Sequence, residues 1–340
     1  MQETADVTGQ LLDRARSGDG NAFAELTGPL RRELQVHCYR ILGSAADAED
    51  MLQETMMAAW RGLDRFERRA SLRTWLYTIA TNKCLNHLRA GRSPAVLQPE
   101  VPLPAPTRSG EPLWLEPYPD TLLGDLPDAA PGPEARYEAR ESVSLAFVAA
   151  LQHLPPRQRA VLVLRDVLGF RAAETAAVLG CTVDAANNLL KRARATSASH
   201  LPPGGRDRAP LPGSAREQQI MARFADAFEH GDVPAIVALL TDDAWLTMPP
   251  LPFEYQGRDP IGHFYETIVF RHGTRRARLI PTRANGQPAF GRYIRDPHAP
   301  VAHAHGLIVL TLAGDRISAV TGFTDNSFLP RFGLPRTLPE

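Results

Sequence analysis

The sequence predicts a multi-domain chain: two all-α modules followed by one α+β domain. Three observations predict it. Prolines are nearly excluded from two stretches and crowded into two others. The proline-poor stretches carry apolar residues at helical spacing, and past residue 215 the texture turns to extended, β-branched and aromatic segments. Of 30 prolines in 340 residues, one (Pro29) falls in 1–90 and eleven fall in 91–140. Residues 141–200 hold only Pro155 and Pro156, and 201–214 hold four. Proline lacks an amide donor and disfavours helix in the residue before it, so the dense stretches read as linkers. The expected boundaries are 1–92, a linker over 93–138, 139–200, a second linker over 201–215, and a last domain over 216–331.

In the first module Ala22, Phe23, Leu26 and Leu30 recur at helical spacing, as do Ala48, Leu52, Thr55 and Ala59. The second module is helical with breaks at Pro155-Pro156, Gly169 and Gly180. In the last domain a helix through Ile220, Phe224, Ala227 and Phe228 ends near Gly231, and Asp232 caps a second, VPAIVALL. The segments AWLTM, RARLIPTRA, AHAHGLIVLTL and DRISAVTGF then read as strands.

Thirty-eight basic side chains balance thirty-eight acidic ones. That balance excludes a chain-wide electrostatic grip on DNA or on an acidic membrane, so any nucleic-acid function is local. Cys38, Cys84 and Cys181 form no C-x-x-C pair, which fits a reducing compartment and argues against a disulfide framework or a zinc ribbon. The polar N-terminus predicts no signal peptide, and no apolar run approaches the ~20 residues that span a bilayer. A cytoplasmic protein without membrane association is expected.

RAAETAAVLGCTVDAANNLLKRARA reads as a helix, a turn at Gly180-Cys181 and a second helix capped by Thr182. On the second helix Val183, Ala186, Leu189, Leu190 and Ala193 form an apolar stripe. Asp184, Asn187, Asn188, Lys191, Arg192 and Arg194 occupy the rest. A recognition helix needs this division: a stripe that docks it, and amides and cations free to meet base edges and phosphates. An ordinary amphipathic helix with a solvated face has the same pattern.

DAEDMLQETMMAAW sets Asp47, Asp50 and Glu54 along one stripe with Gln53 beside it, suited to a basic partner or simply to water. In SLRTWLYTIATNKCLNHLR the face of Leu72, Trp75, Leu76 and Ile79 continues as Asn82, Lys83 and Asn86, so it leaves the core. Trp75 and Tyr77 are suited to stack on unpaired bases, Asn82 and Asn86 to read them, and Lys83 and Arg89 to neutralise phosphates. The plain alternative places Trp75 in the core. RFERRASLR, just upstream, adds arginines.

With these motifs in hand, residues FAELTGPL through NHLR resemble region 2 of bacterial sigma-70 type sigma factors of the extracytoplasmic-function group. LPPRQRAVLVLRDVLGFRAAETAAVLGCTVDAANNLLKRARA is similar to region 4 of that group. The resemblance implies two all-α sigma modules, a region 2 bundle and a region 4 helix-turn-helix. It implies that Asp47, Asp50, Leu52, Gln53 and Glu54 dock on the clamp of core RNA polymerase, whose flap region is a further partner. The loop Arg68–Ser71, with Arg69, and the helix through Trp75, Thr78, Asn82, Lys83, Asn86 and Arg89 would capture flipped bases of the −10 element. Asp184, Asn187, Asn188, Lys191, Arg192 and Arg194 would enter the major groove of the −35 element. The implied partners are core polymerase and promoter DNA, with no catalytic residue, cofactor or metal of the chain's own.

The first linker carries an aromatic island, LWLEPYPDTLL, and spacers rarely retain Trp. Trp114 and Tyr118 are therefore candidates for a docking segment or for an anchor on the chain's own domain, and the island resembles the linker motif of sigma factors with a C-terminal extension. Residues 216–331 look like the SnoaL-like or nuclear-transport-factor-2-like fold, a cone-shaped α+β domain that serves enzymes, binders and interaction modules alike. Candidate pocket residues for a small-molecule ligand are Trp245, Met248, Tyr255, His263, His303, His305 and Asp325. His303 and His305 alternate, so in a strand they point to one face. The expected function is a sigma factor regulated in cis by this domain. The alternatives are an isomerase- or hydrolase-type enzyme, or a ligand sensor, fused to a helix-turn-helix regulator.

Overall fold

The computed structural model describes residues 2–67, 70–91, 101–110, 113–123, 142–200, 209–273 and 276–339. The chain divides into two compact units: Met1–Ser93 with Leu122–Leu201, and Pro94–Thr121 with Pro202–Glu340.

Unit 1 is helical: α1 (Gln2–Arg16), α2 (Gly20–Leu42), α3 (Ala45–Gly62), α4 (Leu72–Arg89), α5 (Leu145–Gln152), α6 (Pro156–Leu162), α7 (Ala172–Leu179) and α8 (Val183–His200). Side-chain oxygens set the starts. Asp19 accepts from the amides of Asn21 and Ala22, Ser44 from Asp47, Ser71 from Thr74 and Ser144 from Phe147. Pro155-Pro156 opens α6, where a missing amide costs nothing. Gly43 ends α2 at φ 72°, a conformation glycine takes without strain. The core joins Leu34, Val36 and Ile41 of α2, Ala48, Thr55 and Ala59 of α3, and Leu76, Tyr77 and Ala80 of α4, all buried.

Unit 2 is α+β, as expected: among the described residues α9 (Ala215–His230), α10 (Val233–Leu239) and α11 (Arg258–Phe264) pack with eight strands. These are β1 (Arg108–Ser109), β2 (Leu240–Met248), β3 (Leu251–Gln256), β4 (Ala277–Ala284), β5 (Gln287–Arg295), β6 (Val301–Ala313), β7 (Arg316–Phe323) and β8 (Thr337–Pro339). The sheet order is β1-β3-β2-β7-β6-β5-β4, with β8 also on β6, and only β2/β7 runs parallel. One core gathers Ile220, Phe224 and Phe228 of α9 with Phe290, Ile308, Leu310 and Val320 of the sheet. Elsewhere on β5, Gly291 makes room for the C-terminal segment, since a Cβ there would lie 2.6 Å from Leu334. Asn285 and Gly286, at φ 57° and 69°, form the two-residue turn between β4 and β5.

Residues 94–121, read from their prolines as spacer, group with unit 2 as a strap. Two of its residues extend the sheet, Arg108 opposite Glu254 and Ser109 opposite Phe253. Within the expected linker over 93–138, residues 93–100, 111–112 and 124–138 lie outside the described residues, as do 201–208 of the second.

Candidate nucleic-acid interface

Helix α8 begins where Thr182 Oγ1 accepts from the amide of Ala185 at 3.2 Å, after a turn made by Gly180 at φ 59°. Arg157 donates to the carbonyl of Leu179 at 2.7 Å and closes the end of α7. Ala186, Leu190 and Ala193 are buried, so the helix is docked by a narrow stripe. Val183, expected in that stripe, is 41% exposed at the first turn, and Leu189 is only half-buried. Asp184, Asn187, Asn188, Lys191, Arg192 and Arg194 are all exposed on the remaining surface. Arg194 is already engaged: it chelates Asp166 at 2.9 and 2.7 Å, which holds its guanidinium more firmly protonated. That pair ties α8 to the turn after α6.

Helix α4 starts at Ser71, and Arg69 lies outside the described residues. Asn82, Asn86 and Arg89 are exposed; Trp75, Thr78 and Lys83 are half-buried. Trp75 leans on Phe66 at 4.9 Å against a small cluster of Leu12, Leu26 and Leu63, so its ring has one packed face. Lys83 donates to Glu54 at 2.9 Å, Arg89 to Asn86 at 3.1 Å, and Thr78 to the carbonyl of Thr74 at 2.8 Å.

Tyr77 does not join that face. It is fully buried, donates to Glu33 at 3.2 Å and stacks edgewise on His37 at 4.9 Å, so it cannot stack on a base. Burial pushes its hydroxyl pKa up. His37 bonds Thr81 at 2.9 Å, and burial, with Arg40 and Arg73 nearby, brings its pKa down to about 3. The buried side of α4 thus interleaves a polar network with Leu76, Ala80, Cys84 and Leu85, which blurs the usual apolar stripe.

On α3, Asp50, Gln53 and Glu54 are exposed, and Asp47 lies half-buried, 3.6 Å from His87. Leu52 is the correction: at 6% exposed it packs inward, one helical step from the stripe, so it supports the surface instead of forming it. The stripe instead continues through Met57 and Trp60, 54% and 38% exposed. Their phase was the available signal, for at about 100° per residue they fall on the face of Asp50 and Gln53, away from the buried Thr55 and Ala59.

The aromatic island lands on unit 2. Tyr118 is fully buried and Leu115 nearly so, while Trp114 is half-buried. The amide of Tyr118 donates to Asn285 Oδ1 and the amide of Asn285 donates back to the carbonyl of Tyr118, both at 2.8 Å. Asp120 accepts from the amide of Gly286 at 2.7 Å and from Arg283 at 3.2 Å, and Arg283 also pairs with buried Glu217 at 2.5 Å. Upstream, Tyr255 donates to the carbonyl of Pro104 at 2.8 Å.

The expected pocket residues do not share one environment. Met248 and Tyr255 are buried in the core cluster, whereas His263, His303 and Asp325 are exposed, with Trp245 and His305 between. A register shift beside Arg292 separates the histidines' surroundings. His303 meets Asp296 at 3.2 Å, and His305 accepts from Arg292 at 2.7 Å. Asp325 caps a turn, accepting from the amide of Ser327, instead of standing in an apolar site as a general base. Among the described residues no helix is long and apolar enough to cross a membrane.

Three family models match the chain: sigma-70 region 2 over residues 28–93, sigma-70 region 4 over 144–196, and the SnoaL-like domain over 221–320. The sequence is 44% identical over 342 aligned residues to the ECF RNA polymerase sigma factor SigG of Mycobacterium tuberculosis, covering 98% of this chain and 89% of that protein. It is 30% identical over 252 residues to the ECF RNA polymerase sigma factor SigJ of the same species, covering 72% of each. The fold is similar to the crystal structure of SigJ, with a TM-score of 0.59 at 23% identity, over 92% of this chain and 99% of that one.

Proposed function

The chain belongs to the extracytoplasmic-function (ECF) RNA polymerase sigma factors, and from that premise we propose how its surfaces divide the work and how its last domain governs them. It is a sigma factor, a transcription initiation factor that works with core RNA polymerase at promoter DNA. The exposed stripe of α3, Asp50, Gln53 and Glu54 continued by Met57 and Trp60, is the docking face for the polymerase clamp. Acidic groups supply orientation, and the two apolar side chains supply area to bury. The α5–α8 module faces the flap.

Helix α8 enters the major groove at the −35 element. Asn187 and Asn188 suit the paired donor and acceptor of adenine, Lys191 and Arg192 neutralise phosphates, and Arg194 steadies the helix through Asp166. Helix α4 holds the −10 element: the free face of Trp75 offers a stacking platform, and Asn82 and Asn86 offer amides to unpaired base edges. Duplex contacts fix the register while trapped bases bias opening. These residues make and break no bond; the polymerase does the chemistry.

The SnoaL-like domain regulates in cis by holding the linker between the two DNA-reading modules. The observation that carries this is the reciprocal Tyr118–Asn285 pair with Asp120 locked to Gly286 and Arg283. A linker built into a folded domain has lost the reach it has as free chain. The test is initiation from a cognate promoter with purified core polymerase, comparing the full chain with Asn285→Ala and Asp120→Ala. The full chain should initiate, and both variants should initiate several-fold more without a change in core affinity. No initiation by any of them overturns the assigned surfaces; equal initiation overturns regulation through the strap.

A further inference from the structure

Helix α8 carries one side chain that its docking does not explain. Among the described residues four large apolar side chains are exposed: Met57, Trp60, Val183 and Leu211. Met57 and Trp60 lie on the α3 face, and Leu211 precedes α9. Val183 is the first residue of α8 and is 41% exposed. It stands three residues before buried Ala186, so it would join the docking stripe if that stripe reached the end of the helix. The stripe stops short of it. Thr182, Asp184, Asn187 and Asn188 around it are exposed as well.

Position gives that exposure a use. A recognition helix meets base edges with its N-terminal residues, and the start of α8 is fixed by the Thr182 cap, 3.2 Å from the amide of Ala185. A β-branched side chain in a helix keeps to one χ1 rotamer, so the two methyl groups of Val183 are held in one direction. In the major groove the base pairs offer donors, acceptors and one apolar group, the C5 methyl of thymine. A valine pressed on any other base edge buries a donor or acceptor without a partner, which costs more than the contact returns. Val183 therefore fits thymine and disfavours the other three bases.

Asn187 extends the reading. Four residues further on, it lies about 40° round the helix from Val183 and about 6 Å along it. Base pairs stack ~3.4 Å apart, so the two side chains fall on pairs no more than about two steps apart. The Asn187 amide, exposed there, matches the N6 donor and N7 acceptor of adenine.

We infer that Val183 is a specificity-determining residue of α8, which reads the methyl group of a thymine within about two base pairs of the adenine met by Asn187. This rests on the reading of α8 as the −35 helix and gives that helix a base preference that its charges do not supply. Lys191 and Arg192, further along α8, act on phosphates and set affinity. Val183 and Asn187 act on base edges and set which duplex is chosen.

The test uses the full chain with core polymerase. Duplexes randomised over the −35 element are selected for binding, and each thymine of the selected element is then replaced singly by deoxyuridine. Deoxyuridine keeps every hydrogen-bonding group of thymidine and lacks the methyl. One replacement should weaken binding about three- to fourfold, the scale of one buried methyl group, and it should lie within about two pairs of a selected adenine. Val183→Ala should bind the thymine and deoxyuridine duplexes equally. Alanine is a better helix former than valine, so this variant keeps α8 folded. Methyl sensitivity at no thymine, or sensitivity that survives Val183→Ala, overturns the inference. An equal loss on every duplex with Val183→Ala also overturns it, because the side chain would then meet polymerase. Selection of no −35 preference by the unaltered chain is a different failure: it overturns the reading of α8 itself, and this inference with it.

Discussion

The two helices proposed to meet DNA, α4 and α8, are built differently. α8 is docked by Ala186, Leu190 and Ala193 and presents Asp184, Asn187, Asn188, Lys191 and Arg192 to solvent, while Arg194 is held by Asp166. α4 is docked by Leu76, Ala80, Cys84 and Leu85 together with a polar network of Tyr77, Glu33, His37 and Thr81, and its outward Lys83 and Arg89 already hold Glu54 and Asn86. A helix that meets an intact duplex needs charges ready for phosphates and little else behind them. A helix that must hold splayed bases needs a fixed geometry, and buried hydrogen bonds fix it at the cost of sensitivity to their surroundings.

The largest expected effect comes from breaking the docking of α8. Leu190→Asp buries a carboxylate among small apolar groups and should remove about 3 kcal/mol or more, abolishing −35 binding by the polymerase complex. Thermal melts and anisotropy on a −35 duplex check this; retained binding would mean that the stripe does not position the helix.

Next comes the pH sensitivity of α4's support. His37 has its pKa lowered to about 3 in the fold from 6.5, so the unfolded chain takes up its proton first. The stabilisation is complete above pH 6.5 and is lost as pH falls from there towards 3, at about 1.4 kcal/mol per pH unit from this group. Between pH 7 and pH 5 unit 1 should lose roughly 2 kcal/mol in denaturant titrations. His37→Gln should flatten that slope, and an unchanged slope removes His37 as its source.

Much of this contrast was legible in the sequence of α8 and little of it in that of α4. A period of 3.6 with alanine and leucine inside and amides and cations outside reads directly. In α4 the inward positions mix Leu76, Ala80, Cys84 and Leu85 with Tyr77 and Thr81, two residue types equally at home on a surface. Tyr77 was thus expected on the DNA side, and only its contacts with Glu33 and Phe170, far off in sequence, explain its burial. The exposed Met57 and Trp60 break the amphipathic rule in the other direction. The aromatic island announced a docking segment, but its landing turn lies 167 residues downstream, and no local pattern points there. His303 and His305 do alternate with buried Ala302, Ala304 and Gly306, but a register shift beside Arg292 gives each histidine a different partner.

Two smaller effects sharpen the comparison. Arg192→Ala should lower the salt dependence of promoter binding by about 0.9 in log–log slope, as for one phosphate contact. Lys83→Ala should lower it less, because Glu54 already neutralises part of that charge; equal slopes would show that the Glu54 pair does not persist in the complex. Smallest of all, Glu54→Gln should free Lys83 and tighten binding of a single-stranded −10 oligonucleotide by the free chain about two- to threefold, the scale of an exposed ion pair. An unchanged affinity would make the pair incidental.

The strap has a consequence in time. Chains are made from the N-terminus at about 5–20 residues per second, so Tyr118 leaves the ribosome roughly 8–33 s before Asn285 exists to receive it. Both DNA-reading modules end by residue 201, well inside that interval. Every newly made molecule therefore passes through a period in which its promoter-reading half is complete and its linker has nowhere to dock. The pace of translation through residues 202–285 sets how long each molecule stays in that state.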